Sequence, residues 1–123
     1  MEAVSDHPLQ HMLREHFGPA SSKVCIGIFE AGISHALLLS RRFGVISTGP
    51  GTKPFQTKGV SAFLGASGSD RWAGVKTSGL HVLEIKGGDR KYVEDKIKAT
   101  TVELVGGGAD CIILGCAGES PQL

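Results

Sequence analysis

Residues 109–118, ADCIILGCAG, contain the apolar run that decides the fold. The segment 109–114 is rich in aliphatic and β-branched side chains, which is typical of a short buried strand. The run ends at Gly115, and the next residue is Cys116. Two interpretations of Cys116 stay open on this pattern. It is either a reactive thiol at the rim of a sheet or a structural thiol at a tight turn.

A long helix is predicted immediately before this strand, over residues 89–105. Asp89 is its predicted N-cap, and three glycines at 106–108 end it. Apolar and small side chains recur at helical spacing and form its predicted inner stripe: Val93, Ile97, Thr101, Leu104 and Val105.

Helices and strands alternate through the rest of the chain. We predict a helix at 5–18, a strand at 23–29 (KVCIGIF), a helix at 31–42, a strand at 43–47 (FGVIS), a loop at 48–54, a helix at 57–64 and a strand within 75–85 (VKTSGLHVLEI). This alternation predicts an α/β fold, a mainly parallel four-stranded sheet flanked by helices in a flavodoxin-like three-layer arrangement.

Length and charge limit the function classes. A chain of 123 residues fits one domain. Its formal charge of +1 gives no broad field for nucleic acid or anionic lipid, and its apolar runs are too short to span a membrane. Three cysteines without metal-type spacing favour a reduced, cytoplasmic location.

Candidate site residues follow the predicted strands. Ligands of parallel sheets bind beyond the carboxyl ends of the strands, where Glu30, Ser47, Thr48 and Cys116 are expected. Only the thiolate form of a cysteine acts as a base, and neighbouring backbone N–H groups favour that form.

The remaining cysteines and histidines receive less specific interpretations. Cys25 and Cys111 lie inside predicted strands and are interpreted as small core residues. His7, His11 and Glu15 have helical spacing, which we interpret as a solvated helix face. We therefore predict no metal site.

Five stretches together resemble the aspartate/glutamate/hydantoin racemase family, and its fungal hydantoin- or allantoin-racemase-like branch in particular. They are SDHPL, IGIFEAGISHAL, FGVISTG, VKTSGLHVLEI and ADCIILGCAG. The resemblance implies an enzyme without a cofactor, built from two similar α/β halves. It also implies a small-molecule substrate bound between two cysteines, one of which removes the α-proton while the other returns a proton.

The resemblance also assigns roles to residues of this chain. Cys116 matches the second family cysteine and is the predicted catalytic residue. The predicted substrate-binding residues are Ser47 and Thr48 through their hydroxyls, Ala117 and Gly118 through their backbone N–H groups, Gly49, and Glu30 as part of the site wall.

The chain departs from the family pattern at its first residues. Ala3 or Val4 stands where the first family cysteine is expected, and the chain has about half the length of a typical member. We expect residues 1–22 to be a helix and linker left from the neighbouring lobe, and residues 23–123 to be one racemase-type lobe. An unpartnered lobe exposes apolar surface, so we expect a homodimer or a higher homo-oligomer.

Two functional hypotheses follow. The first is a racemase acting on a hydantoin, an allantoin or an acidic amino acid, with Cys116 as acid–base and a second group supplied from elsewhere. The second is a non-catalytic truncated paralogue that binds a small molecule or a protein.

Overall fold

The structure is a computed structural model that describes residues 8–20, 23–49, 53–65 and 70–115. Within these ranges the elements are α1 (Pro8–Phe17), α2 (Ile28–Leu39), β1 (Phe43–Ser47), α3 (Lys53–Leu64), β2 (Trp72–Thr77), α4 (Val82–Gly87), α5 (Arg90–Gly106) and β3 (Cys111–Leu114). Among the helices so described, none combines the length and apolarity needed to cross a membrane.

The three strands form a parallel sheet in the order β2-β1-β3. The register between β1 and β2 shifts after Phe43, which pairs with Trp72, whereas Val45 pairs with Val75. Gly74 lies inside this shift with a φ of 104°, a conformation that glycine adopts without a steric penalty. The strand order makes β1 the central strand, with a paired neighbour on each side.

Helices cover both faces of this sheet, because successive side chains of β1 point to opposite faces. Phe43 and Val45 pack with Ile33 of α2 and Val60 of α3 in one core cluster. On the other face, Ile46 and Leu104 of α5 share a second cluster. The predicted α/β fold with a parallel sheet and flanking helices is confirmed.

The predicted strand at 23–29 does not form. Residues 23–27 have no regular secondary structure, and Phe29 already belongs to α2. A β-branched composition stabilises a strand only where a neighbouring strand pairs with it. No described strand pairs with this segment, and Val24 and Ile26 are 81% and 64% exposed. The described residues therefore contain three strands where the sequence predicts four.

Several boundaries differ from the prediction. Helix α2 is Ile28–Leu39 instead of 31–42, and α3 begins at Lys53, inside the predicted loop, instead of at residue 57. The strand expected within 75–85 ends at Thr77, because Gly79 has a φ of 76° and Glu84 then accepts a hydrogen bond from the His81 N–H at the start of α4. In α5 the buried side chain is Thr100 rather than Thr101, and Val105 is 54% exposed.

Asp110 ties the start of β3 to the start of β1. Its carboxylate accepts hydrogen bonds from the backbone N–H groups of Arg42 at 2.9 Å and Arg41 at 3.1 Å. Both bonds lower the pKa of Asp110 below its ordinary value, and the bond from Arg42 has the larger effect. Because the folded state favours the charged carboxylate, these hydrogen bonds contribute fully to stability above the pKa of an aspartate in the unfolded chain, about 3.9. This contribution is lost as the pH falls through the lower folded-state pKa.

An Asp110→Asn variant is therefore expected to unfold at a lower temperature than the wild type at neutral pH. It is also expected to lose less stability on acidification, since its side chain no longer takes up a proton. Thermal unfolding followed from neutral to strongly acidic pH measures both effects. Asp95→Asn is the matched control, because Asp95 makes only an exposed contact of 3.9 Å with Lys91. Parallel acid profiles for wild type and Asp110→Asn would contradict this role.

Candidate active site

Ser47 and Thr48 lie at the carboxyl end of the central strand, as predicted. Ser47 is the last residue of β1, and the two residues are 0% and 4% exposed. The Ser47 hydroxyl donates to the carbonyl of half-buried Gly49 over 3.4 Å. Two hydroxyl-bearing residues and a glycine therefore follow one another where a parallel sheet binds its ligands.

The end of β2 holds this backbone in place. The hydroxyls of Thr77 and Ser78 both donate to the carbonyl of Thr48, at 3.0 Å and 3.1 Å. The Ser78 N–H donates to the carbonyl of Ser47 at 2.8 Å. With three hydrogen bonds to two consecutive carbonyls, the turn after β1 is fixed by its neighbour.

Gly115 lies on the other side of β1, directly after β3. Its N–H donates to the carbonyl of Ile46 at 2.7 Å, and its own carbonyl accepts from Nε2 of Gln56 at 3.1 Å. Gln56 belongs to α3 and is 2% exposed. Gly115 is therefore anchored by two separate elements, and one of its partners directly precedes Ser47.

Cys116, Ala117 and Gly118 lie outside the described residues. The peptide bond nevertheless joins Cys116 to Gly115, and consecutive Cα atoms are about 3.8 Å apart. The point from which Cys116 departs is thus placed beside the end of β1.

Glu30 is in the first turn of α2 rather than after a strand. Its carboxylate accepts from the Arg14 guanidinium at 2.8 Å, and the same guanidinium donates to the carbonyl of Cys25 at 3.0 Å. The ideal Cβ position on Gly32 is 3.8 Å from Ile113 of β3, so the preceding turn of α2 extends toward the carboxyl edge of the sheet.

Cys25 and Cys111 are free thiols, and both are half-buried. Cys111 packs against the core formed with α2 and α3, in agreement with its interpretation as a core residue. Cys25 lies in the irregular segment before α2 instead of in a strand. Within the part of the chain that the structure describes, no group of three or more His, Cys, Asp or Glu side chains is arranged to hold a metal ion.

Sequence reasoning missed three residues of this site: Gln56, Thr77 and Ser78. A signal existed for the last two, because Thr77 and Ser78 are followed by a glycine, as are Ser47 and Thr48. Gln56 gave no such signal, since a glutamine within a helix is most often solvated.

Comparisons with known proteins find similar sequences over nearly the whole chain. The family model for Asp/Glu/Hydantoin racemase matches residues 1–122. An uncharacterised protein of Schizosaccharomyces pombe is 40% identical over 119 residues, 96% of this chain and 48% of that protein. A hydantoin racemase of Rhizobium meliloti is 32% identical over 119 residues, 96% of this chain and 46% of that enzyme.

The chain spans about half the length of these curated relatives. No solved structure matches it significantly. Since the family model covers almost the whole sequence, the chain belongs to the Asp/Glu/hydantoin racemase family.

Proposed function

We propose that this chain supplies one catalytic thiol of a cofactor-independent racemase. Cys116 acts as thiol or thiolate at the stereocentre of a hydantoin, an allantoin or an acidic amino acid. The observation that carries the proposal is the 2.7 Å hydrogen bond from Gly115 to Ile46. It fixes the residue before Cys116 beside the strand that ends in Ser47.

The proposed chemistry is general acid–base catalysis at carbon. The Cys116 thiolate removes the proton next to the substrate carbonyl, and the negative charge moves onto the carbonyl oxygen. The hydroxyls of Ser47 and Thr48 and the backbone N–H groups of Gly49, Ala117 and Gly118 are proposed to bind the substrate oxygens. Donors in a site that excludes water stabilise such an oxyanion far better than donors in bulk water.

Burial of Ser47 and Thr48 limits the access of a substrate to their hydroxyls. Because the two residues are 0% and 4% exposed, a substrate contacts these hydroxyls only if the residues that cover them move. Glu30 is proposed as part of the surrounding wall, held there by its ion pair with Arg14.

The number of catalytic bases determines the product. In D₂O, one thiolate alone removes the α-proton and returns a deuteron from solvent to the same face, so the configuration is retained. Inversion needs a second acid on the opposite face, which we propose comes from a partner chain or a partner lobe.

Deuterium exchange therefore tests the proposal. Folded protein is incubated in D₂O with single enantiomers of allantoin, a 5-substituted hydantoin, aspartate and glutamate. Mass spectrometry then measures α-deuterium while polarimetry measures inversion. Exchange on at least one substrate is expected, with inversion only if a second acid is present. Absence of exchange on the whole panel would contradict the proposal.

A binding or interaction role is the second candidate function. It is favoured by large apolar side chains on the surface, among them Leu38 and Leu39 of α2, which are 84% and 81% exposed. We propose that such surface packs against a second copy of the chain. This role predicts ligand binding or self-association without α-proton exchange.

Sedimentation velocity over a wide concentration range tests self-association. We expect a dimer or a higher oligomer whose fraction rises with concentration. A single monomeric species at every concentration would contradict it, and would leave the thiol chemistry to be judged by deuterium exchange alone.

A further inference from the structure

Gln56 of α3 is a buried polar side chain with only half of its hydrogen-bonding groups in use. It is 2% exposed, and its Nε2 donates to the carbonyl of Gly115 at 3.1 Å. Its Oε1 is also buried and has no hydrogen-bond partner among the described residues. A buried amide oxygen without a donor is a cost to the folded state, so the residue needs an explanation beyond stability.

The amide orientation is fixed by its neighbour. The group facing Gln56 is a carbonyl oxygen, which accepts hydrogen bonds and donates none. A rotated amide would place Oε1 against that oxygen and would lose the single bond that the side chain makes. Nε2 therefore faces Gly115, and Oε1 is left as the spare acceptor.

The hydrogen bond from Gln56 to the Gly115 carbonyl also restrains the peptide unit that follows Gly115. The carbonyl of Gly115 and the N–H of Cys116 belong to the same planar peptide unit. A donor that fixes the direction of this carbonyl therefore fixes the plane from which the Cys116 backbone starts. The Gly115 N–H, bound to Ile46, holds the preceding peptide unit. Among the described residues, Gln56 is the side chain that bonds to the peptide unit leading into Cys116.

We infer that Gln56 is a positioning residue, whose amide orients the Gly115–Cys116 peptide and with it the thiol. The inference rests on the proposed role of Cys116. An apolar side chain of similar size would fill the same space without the unpaired oxygen, at the loss of one hydrogen bond. Packing of α3 against the sheet therefore does not by itself explain a glutamine at this position.

Gln56→Met tests this inference, because methionine has nearly the same length, forms helices well and carries no donor. Iodoacetamide alkylation is followed from about pH 6 to about pH 10, a range that brackets the ordinary thiol pKa. Tandem mass spectrometry separates Cys116 from Cys111 and Cys25, which serve as internal controls. Thermal unfolding of the same samples reports stability.

The expected result is a rise of about fivefold in the alkylation rate constant of Cys116, the factor that one hydrogen bond supports. The rate–pH profiles of Cys25 and Cys111 are expected to stay unchanged, and so is the unfolding temperature within a few degrees. Thr100→Val is the matched control, because Thr100 is a buried polar residue on the other face of the sheet whose hydroxyl bonds only within α5.

An unchanged or reduced rate constant at Cys116 would overturn the inference. A Gln56→Met protein that fails to fold would overturn it too, since the side chain would then be needed for stability. Alkylation is measured on the free protein, so it is independent of turnover. A wild type without α-proton exchange would contradict the proposed function and leave this result standing.

Discussion

Replacement of Cys116 by alanine is expected to lower the rate of α-proton exchange by at least about 10²-fold, the lower range for loss of a general base. The alanine side chain has no group that accepts or returns a proton. Binding is expected to change much less, because the proposed hydrogen bonds to the substrate come from Ser47, Thr48 and backbone groups. Exchange rates and ligand affinity, measured on the same preparations, separate the two effects.

Cys111→Ala and Cys25→Ala are the matched controls for that experiment. Both thiols are half-buried and free, and neither follows the carboxyl end of a strand. Each control is expected to retain exchange within a few-fold of wild type, after correction for the folded fraction. Full exchange activity in Cys116→Ala, or its loss in both controls, would contradict the assignment of the base.

Gly115→Ala is expected to be the most damaging glycine substitution near the site. A Cβ at this position would clash with Nε2 of Gln56 and would approach the carbonyl oxygen of Ile46 to 2.5 Å. The Ile46 oxygen is backbone of the central strand and cannot rotate away. We expect a loss of about 1–3 kcal/mol in the free energy of unfolding, as for other overpacked sites, together with loss of α-proton exchange.

Gly32→Ala gives the opposite expectation from the same chemical change. Gly32 is inside α2, and a Cβ there would be 3.8 Å from Cγ2 of Ile113, an ordinary contact. Alanine is better than glycine in a helix by about 1 kcal/mol, so this variant is expected to be more stable. Denaturant unfolding compares the two variants. Equal stability changes would show that the close approach of β3 to β1 at Gly115 is not tight.

The fold was predictable wherever residues close together in the sequence carry the signal. FGVIS predicts β1 with its observed bounds, because all five residues are small or apolar and are flanked by turn residues. The helix capped by Asp89 was predicted with its cap, whose side chain accepts from the Lys91 N–H at 3.0 Å. Periodicity and capping chemistry act within a few residues, so one sequence suffices to read them.

Prediction failed where structure depends on distant partners. The segment 23–29 has strand composition, but composition does not say whether a neighbouring strand will pair with it. In the candidate site, hydroxyls following a strand identified Ser47 and Thr48. Gln56 could not be identified, because its contact with Gly115 joins residues 59 positions apart.

A crystal structure with a bound 5-substituted hydantoin would test the location of the chemistry most directly. The sulfur of Cys116 is expected next to the ligand stereocentre, with a ligand oxygen in hydrogen-bond reach of the Ser47 or Thr48 hydroxyl. A sulfur enclosed by hydrocarbon side chains, remote from both hydroxyls and from the ligand, would contradict it.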